Sequence, residues 1–152
     1  MRVSDVMSRH VEFIEADAPV QEAAVLMGEL DVGALPVGAP ERLEGVLTDR
    51  DVLYRVVARG LDCAAVRVRD VLTTPVLSCR PEDDLRSAMD LMAANHVRRL
   101  PVRDGAGRVV GWVTLADISR RLLLDSGSLQ AALREATEGV SKAEAATANS
   151  AG

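Results

Sequence analysis

Two copies of a short T-x-x-D motif carry the side chains of this sequence that are best suited to holding a ligand. Thr48 and Asp51 form the first copy, and Thr114 and Asp117 form the second. A threonine hydroxyl beside the free N–H groups of a helix start can hold a phosphate oxygen. A carboxylate one helical turn later can accept hydrogen bonds from neighbouring hydroxyl groups. The alternative is structural, because a threonine followed three positions later by an acid also caps a helix.

Two adjacent arginines, Arg98 and Arg99, are the second feature with binding chemistry. Guanidinium groups match the geometry of phosphate oxygens, so an anionic ligand is one interpretation. The pair precedes a Leu-Pro-Val sequence that is typical of a strand. Neighbours on a strand point to opposite faces, so the two arginines could serve two different clefts. The alternative is a solvated pair of surface charges.

The elements that must position these residues belong to an internal repeat. A shift of 65 residues aligns residues 3–37 with 68–102 and gives eleven identities in 35 positions. Unrelated sequence of this composition would give about three. The match resumes at a shift of 66, which pairs the two T-x-x-D motifs. The sequence therefore predicts repeat 1 at 1–60 and repeat 2 at 66–125, then a helix at 126–138 and a disordered tail at 139–152.

Each repeat is predicted to follow the order β-α-β-β-α. The pattern predicts a brief strand at 11–15 or 76–79, a helix at about 19–30 or 82–95, and a hairpin between two strands. A final helix begins at Asp49 or Leu115, directly after the motif threonine. Asp49 would repel a phosphate unless a cation bridged them, whereas Leu115 would not. The two motif sites therefore differ in ligand, or one of them is empty.

These motifs carry a family resemblance. The sequences Gly45-Val-Leu-Thr48-Asp-Arg-Asp51 and Gly111-Trp-Val-Thr114-Leu-Ala-Asp117 resemble the strand-to-helix motif of CBS domains, and two such repeats resemble a Bateman module. The resemblance covers about residues 2–125 and is similar to stand-alone bacterial CBS pairs, including the hypoxic-response type. It implies an α+β fold with α/β-type packing, in which pseudo-twofold symmetry relates the repeats.

The resemblance also implies a ligand. CBS domains commonly bind AMP, ADP, ATP or S-adenosylmethionine-type nucleotides, in some cases with magnesium, and require no resident cofactor. Adenine would lie near Val11 and Val76, and ribose on Asp51 or Asp117. Phosphates would lie on Thr48, Thr114 and the pair Arg98 and Arg99. Duplication of the motif in this context favours ligand contact in at least one copy over capping alone.

The function implied is regulatory. Ligand binding would favour one arrangement of the repeats, and an effector protein would read that change. The family commonly forms homodimers, which the helices rich in alanine, leucine and valine could support. The alternative from a different class is a structural or protein-interaction module that binds no nucleotide.

Composition, the length of the apolar runs and the motifs present argue against several other classes of protein. The net charge is −5, the pI is about 5.0 and aromatic residues make up 2%. An acidic chain with few aromatic side chains is a poor partner for nucleic acid. No apolar run approaches the length of a membrane span and no signal core opens the chain, so a cytoplasmic location is predicted. Catalytic motifs such as G-x-S-x-G or H-E-x-x-H do not occur, which predicts that the protein is not an enzyme.

Metal binding is a weaker hypothesis. The candidate ligands are His10, His96, Cys63 and Cys79, and their spacing matches no metal motif. The two cysteines are sixteen positions apart and are predicted to be reduced thiols. We therefore predict no metal site.

Overall fold

The computed structural model describes residues 1–150. Repeat 1 contains α1 (Val20–Leu30), β1 (Ala34–Ala39), β2 (Arg42–Thr48) and α2 (Asp49–Val52), which continues as a π-helical segment, Leu53–Val57. Repeat 2 contains α3 (Leu85–Ala94), β3 (Arg99–Arg103), β4 (Val109–Thr114) and α4 (Leu115–Asp125). A 3-10 turn opens each repeat, Val3–Asp5 and Val68–Asp70, and α5 (Gly127–Ser150) follows α4.

Each repeat folds its two strands into an antiparallel hairpin, as the sequence predicts. The register is the same in both: Leu35 lies opposite Leu47 as Leu100 lies opposite Val113. Each hairpin has an irregularity at the aligned place, directly after Val37 or after Val102. The one-residue insertion that changes the repeat shift from 65 to 66 therefore lies beyond this point, toward the hairpin turn.

The segment that opens each repeat, residues 3–8 or 68–73, packs against the other repeat. Ser8 exchanges two backbone hydrogen bonds with Trp112 of β4, at 2.8 and 2.9 Å. Thr73 does the same with Val46 of β2, at 2.8 and 3.1 Å. Ser8 aligns with Thr73, and Val46 aligns with Trp112. The exchange is therefore reciprocal, and the two repeats interlock with pseudo-twofold symmetry.

The glycine of each motif permits this close approach. A Cβ on Gly45 would lie 2.9 Å from the carbonyl oxygen of Thr73. A Cβ on Gly111 would lie 2.9 Å from the carbonyl oxygen of Ser8. Both distances are shorter than real Cβ contacts, so any other residue would push the opening segment off the strand.

Each hydrophobic core is completed by the opening segment of the other repeat. Core 1 packs α1 against β1 and β2, and it also contains Val68 and Val71. Core 2 packs α3 against β3 and β4, and it also contains Val3 and Met7. All four of these side chains are buried. The predicted repeat boundaries thus separate two copies of the sequence, but each core draws on both copies.

The predicted first helices are close to the observed ones. Helix α1 begins after Pro19, and α3 begins after Asp84, whose carboxylate accepts the N–H of Arg86 at 3.1 Å. Both observed helices begin slightly later than predicted, because Pro19 and Asp84 act as caps outside the helix. Across residues 1–150, no helix has the length and apolar character needed to cross a membrane.

The strands predicted at 11–15 and 76–79 need correction. Each segment forms a single parallel bridge, Ile14 to Val37 or Cys79 to Val102. The chain turns away toward the next helix within a few residues, so only one residue of each segment lies alongside the hairpin. These segments are extended connections and not full strands.

The predicted disordered tail at 139–152 also needs correction. Helix α5 extends from Gly127 to Ser150, well beyond the helix predicted at 126–138, and residues 151–152 lie outside the described residues. Alanine has the highest helix propensity of the residues, and it recurs four times between residues 139 and 150. The prediction of disorder relied on the lack of large apolar side chains, which argues against a core but not against a helix.

Candidate functional site

A cleft of about 870 Å³ lies between the two repeats. Repeat 2 lines it with Trp112 of β4 and with the first residues of α4. Repeat 1 lines it with the extended connection at 10–12 and with the chain from the end of α1 into β1. The volume falls within the range of about 300–1,000 Å³ that is typical of small-molecule sites.

The cleft collects most of the residues predicted from the sequence. Its lining includes Val11, Arg98, Arg99, Thr114 and Asp117. The remaining three predicted residues are not part of this lining: Thr48, Asp51 and Val76. The two T-x-x-D motifs therefore do not occupy equivalent environments, although their sequences match.

Thr114 and Asp117 form a half-exposed pair at the start of α4. The Oγ1 of Thr114 accepts the N–H of Asp117 at 3.1 Å and donates to Oδ2 of Asp117 at 2.7 Å. The other carboxylate oxygen, Oδ1, lies 3.7 Å from Nη1 of Arg120, and the Asp117 side chain is 37% exposed. A carboxylate offers about four acceptor positions. Asp117 therefore keeps acceptor capacity for groups that enter the cleft.

The start of α4 also offers a backbone donor. The N–H of Leu115 donates to the carbonyl of Arg98 at 2.7 Å, and the N–H of Asp117 donates to Thr114. Ala116 lies between them and lines the cleft. An N–H in the first turn of a helix has no acceptor within the helix, so the N–H of Ala116 can bind an anion there.

The two arginines both line this one cleft, instead of serving two clefts as their adjacency suggested. Arg98 precedes β3, which begins at Arg99, so the alternation of strand faces does not apply to the pair. A Cβ added to Gly33 would lie 3.1 Å from Nη1 of Arg99 and 2.9 Å from Oδ2 of Asp49. The Arg99 guanidinium therefore reaches across to repeat 1, near the carboxylate of Asp49.

The first motif is enclosed. Asp51 is 8% exposed, and its Oδ2 accepts the N–H of Thr48 at 3.0 Å. The hydroxyl of Thr73 lies 3.0 Å from both carboxylate oxygens and donates to them, while Nη1 of Arg55 lies 3.7 Å from Oδ1. Arg55 also donates to two backbone carbonyls of the same opening segment, at 2.8 and 2.9 Å. The Asp51 carboxylate is thus occupied in holding repeat 2 against repeat 1.

Sequence reasoning missed Thr73 and Arg55, although the repeat alignment contained the signal. Ser8 aligns with Thr73, but its hydroxyl donates to the carbonyl of His10 at 3.2 Å. Arg121 aligns with Arg55, but it pairs with Asp125 at 3.8 Å. The second motif therefore lacks both groups that enclose the first, which leaves its carboxylate accessible.

The candidate metal ligands do not assemble. Within the part of the chain that the structure describes, no three His, Cys, Asp or Glu side chains form a metal-binding group. Nε2 of His10 pairs with Oε1 of Glu12 at 2.8 Å, and His96 is exposed. Both cysteines are free thiols. Cys79 is buried in core 2, where burial and the charge of Asp83 raise its pKa to about 11.

Comparison with known proteins gives matches in both repeats. Residues 3–58 and 68–124 each match the family model described as CBS domain. The chain is 39% identical over 117 residues to CBS domain-containing protein YhcV of Bacillus subtilis, covering 77% of this chain and 82% of YhcV. It is 34% identical over 119 residues to Hypoxic response protein 1 of Mycobacterium tuberculosis, covering 78% of this chain and 82% of that protein.

Solved structures give the same result for the fold. Hypoxic Response Protein I with two coordinated zinc ions superimposes with a TM-score of 0.71 at 33% identity, covering 79% of this chain and 98% of that chain. The hexameric CBS-CP12 protein from bloom-forming cyanobacteria superimposes with a TM-score of 0.69 at 29% identity, covering 78% of this chain and 66% of that chain. The predicted α+β fold of two repeats is confirmed.

Proposed function

The chain belongs to the CBS-domain family, and we propose that it is a regulatory module that binds an adenine nucleotide or a related adenosyl compound in the cleft between its repeats. The observation that carries the proposal is the grouping of complementary donors and acceptors in one cleft. A helix start, a carboxylate with spare acceptor capacity and two arginines meet there. Each of these groups suits a different part of a nucleotide.

The chemistry assigns each part of the ligand to one wall of the cleft. Ribose hydroxyls donate to the carboxylate of Asp117. Phosphate oxygens accept from the N–H of Ala116 and from the guanidinium groups of Arg98 and Arg99. Adenine lies against the apolar wall at Val11. Magnesium belongs in the test, because Asp49 lies near Arg99 and its negative charge would oppose additional phosphates.

The proposal gives the two motifs different roles. Asp117 contacts the ligand, whereas Asp51 holds the repeats together, because its oxygens already accept from Thr48 and Thr73. We therefore expect one ligand per chain in this cleft. Thr48 of the first motif and Val76, the counterpart of Val11 in repeat 2, do not line this cleft and take no part in this site.

The test is a thermal-shift panel on the purified protein with AMP, ADP, ATP, S-adenosylmethionine and NADH, each with and without magnesium. A ligand present at 100 times its dissociation constant adds about 2.7 kcal/mol of stability. Trp112 lines the cleft and is the only tryptophan, so its fluorescence gives a second, local signal. We expect one compound to shift both signals.

The matched variants are Asp117→Ala and Asp90→Ala, which remove the same charge inside and outside the cleft. Loss of hydrogen bonds to a charged group weakens binding at least about tenfold, so Asp117→Ala should lose the response. Asp90 lies on α3, and among the described residues its ion pair is with exposed Arg86 at 3.6 Å, so Asp90→Ala should keep the response. If no compound acts at millimolar concentration, the proposal is wrong, and an interaction module without a nucleotide becomes the better interpretation.

The output of such a module is a change in what it contacts. Self-association is part of the proposal, since a similar CBS-containing protein is described as hexameric. An effector protein is the other expected partner. A ligand changes either association only if it binds the two states with different affinities. Sedimentation velocity with and without the active compound measures whether the self-association responds.

A further inference from the structure

A second depression lies on repeat 1, beside helix α1 and apart from the ligand cleft. Its volume is about 670 Å³, and it runs between α1 and the extended chain at 13–19. Phe13 and Leu26 are half-buried in it, and Val25 is 54% exposed at its edge. We call this depression, with its apolar floor and the glutamates described next, the acidic groove.

Three glutamates line the acidic groove without a positive partner. Glu15, Glu22 and Glu29 are all exposed, and none of them forms an ion pair within the described residues. A fourth acid, Asp17, forms an ion pair with Arg69, whose Nε and Nη2 each lie 2.9 Å from Oδ1 of Asp17. No lysine or arginine is among the groove-lining residues. At the Asp17 end, Arg67 also donates from Nη1 to the carbonyl of Asp17 at 2.7 Å, so the negative charge of the groove comes from the three glutamates beside its apolar floor.

The spacing on α1 matches a helical partner. Glu22, Val25 and Glu29 lie at positions i, i+3 and i+7, so they form one stripe along the helix. The stripe extends over two turns, or about 10 Å. An apolar residue between two acids complements a helix that places leucine-type side chains between lysines or arginines at the same spacing.

Repeat 2 shows that the fold does not require the apolar and acidic residues of the groove. The aligned positions hold Ser78 for Phe13, Ser87 for Glu22, Asp90 for Val25 and Ala94 for Glu29. Leu26 keeps a leucine counterpart in Leu91, but the apolar residues at the other two positions and the two glutamates of the stripe are lost, although the elements are the same. The composition of the acidic groove is specific to repeat 1.

We propose that the acidic groove docks a basic amphipathic helix of a partner protein. A second copy of this chain is a poorer occupant. Its α4 carries exposed leucines beside Arg120 and Arg121, but these arginines already pair with Asp117 and Asp125 at 3.7 and 3.8 Å. The proposal does not depend on the nucleotide site, because the groove and the cleft have different lining residues.

The test uses a fluorescein-labelled peptide of leucine and lysine, about 18 residues long so that it can form a helix. A second peptide with glutamate in place of lysine is the control. Fluorescence anisotropy on the full chain, at low and at moderate salt, measures both affinities. We expect saturable binding of the cationic peptide and none of the acidic peptide.

Val25→Asp is the deciding variant, because it separates groove docking from charge attraction. It installs the residue of repeat 2 and adds a negative charge, so non-specific attraction would bind the cationic peptide more tightly. Docking in the acidic groove instead predicts a loss of at least about tenfold, because a charged side chain would replace the apolar contact between the two glutamates. Val25 is exposed, and a thermal melt verifies that the variant is folded.

Two double variants each remove two negative charges, one from the acidic groove and the other from repeat 2. Glu22→Ser with Glu29→Ala should weaken binding at least about tenfold, whereas Glu82→Ser with Asp90→Ala on repeat 2 should leave it unchanged. Equal losses in both pairs, tighter binding to Val25→Asp, or no binding by the wild type would each overturn the proposal. It is also overturned if the groove variants dissociate a self-associated form of the chain, because the occupant is then a second copy.

Discussion

The two T-x-x-D motifs have the same sequence pattern and the same helix position but different surroundings. Asp117 is 37% exposed and bonded mainly to its own threonine. The Asp51 side chain is 10% exposed and holds the opening segment of the other repeat through Thr73. The difference arises from residues outside the motif, since Ser8 turns its hydroxyl elsewhere in the second site. A duplicated motif can therefore stabilise the fold in one copy and remain accessible to a ligand in the other.

The largest expected effect is at the enclosed motif. Asp51→Ala leaves the hydroxyl of Thr73 and the charge of Arg55 without their partner, next to a buried site. We expect a loss of about 3 kcal/mol in the free energy of unfolding, as for breaking a buried charge network. Urea denaturation measures it. A loss below about 1 kcal/mol would mean that the first motif is no more structural than the second.

The comparison extends into the cores, where Ile14 of core 1 aligns with Cys79 of core 2. Burial raises the pKa of Cys79 from 9.0 to about 11, so the folded chain keeps a proton that the unfolded chain releases. Stability therefore falls as the pH rises from about 9 to 11, at up to about 1.4 kcal/mol per pH unit. Urea denaturation across that range should show the fall.

The control is Cys79→Ala. This variant should be less stable at neutral pH, but it should lack the loss of stability above pH 9 that the Cys79 thiol causes. The same slope in the wild type and the variant would exclude Cys79 as its source. The thiol of Cys79 should also react slowly with a thiol reagent at pH 8, because it is 4% exposed and its pKa is about 11.

A smaller effect is expected at the residues that distinguish the motifs. Thr73→Val removes the hydroxyl that donates to Asp51 and should cost about 1–2 kcal/mol. Ser8→Ala at the aligned position should cost less than about 0.5 kcal/mol, as for an ordinary surface change. Chemical denaturation of both variants gives the difference. Equal costs would contradict the assignment of Thr73 as the group that encloses the first motif.

The smallest effect on stability is expected at the accessible motif. Asp117→Ala removes the ion pair with Arg120, which is solvent-exposed, and leaves Thr114 able to cap α4. We expect a change within about 1 kcal/mol of the wild type. A circular-dichroism melt measures it, and the same variant should lose the nucleotide response. A loss as large as that of Asp51→Ala would show that both motifs are structural.

The local parts of this structure could be predicted from the sequence, because they depend on neighbours along the chain. The hairpins follow from turn-forming residues between apolar runs, and the starts of α2 and α4 follow from Thr48 and Thr114. The enclosure of Asp51 could not be predicted in this way. It depends on Thr73, which is 22 positions away and reaches Asp51 only because the opening segments cross between repeats.

The acidic groove illustrates the same limit. Phe13 precedes α1, and Val25 and Glu29 lie on that helix; the sequence pattern of each is ordinary. Their common surface appears only when the extended chain at 13–19 packs beside α1. The repeat alignment then becomes informative, because it shows which surface features one copy has and the other lacks.

The crossed opening segments also determine how the chain can come apart. Val3 and Val68 are fully buried, each in the core of the opposite repeat, so neither core can open without exposing part of the other. Residues 1–125 should therefore unfold as one cooperative unit. A cut in the link between the repeats would leave two fragments that remain associated and refold only together. A single repeat made alone could complete its core only by exchanging opening segments with a second molecule.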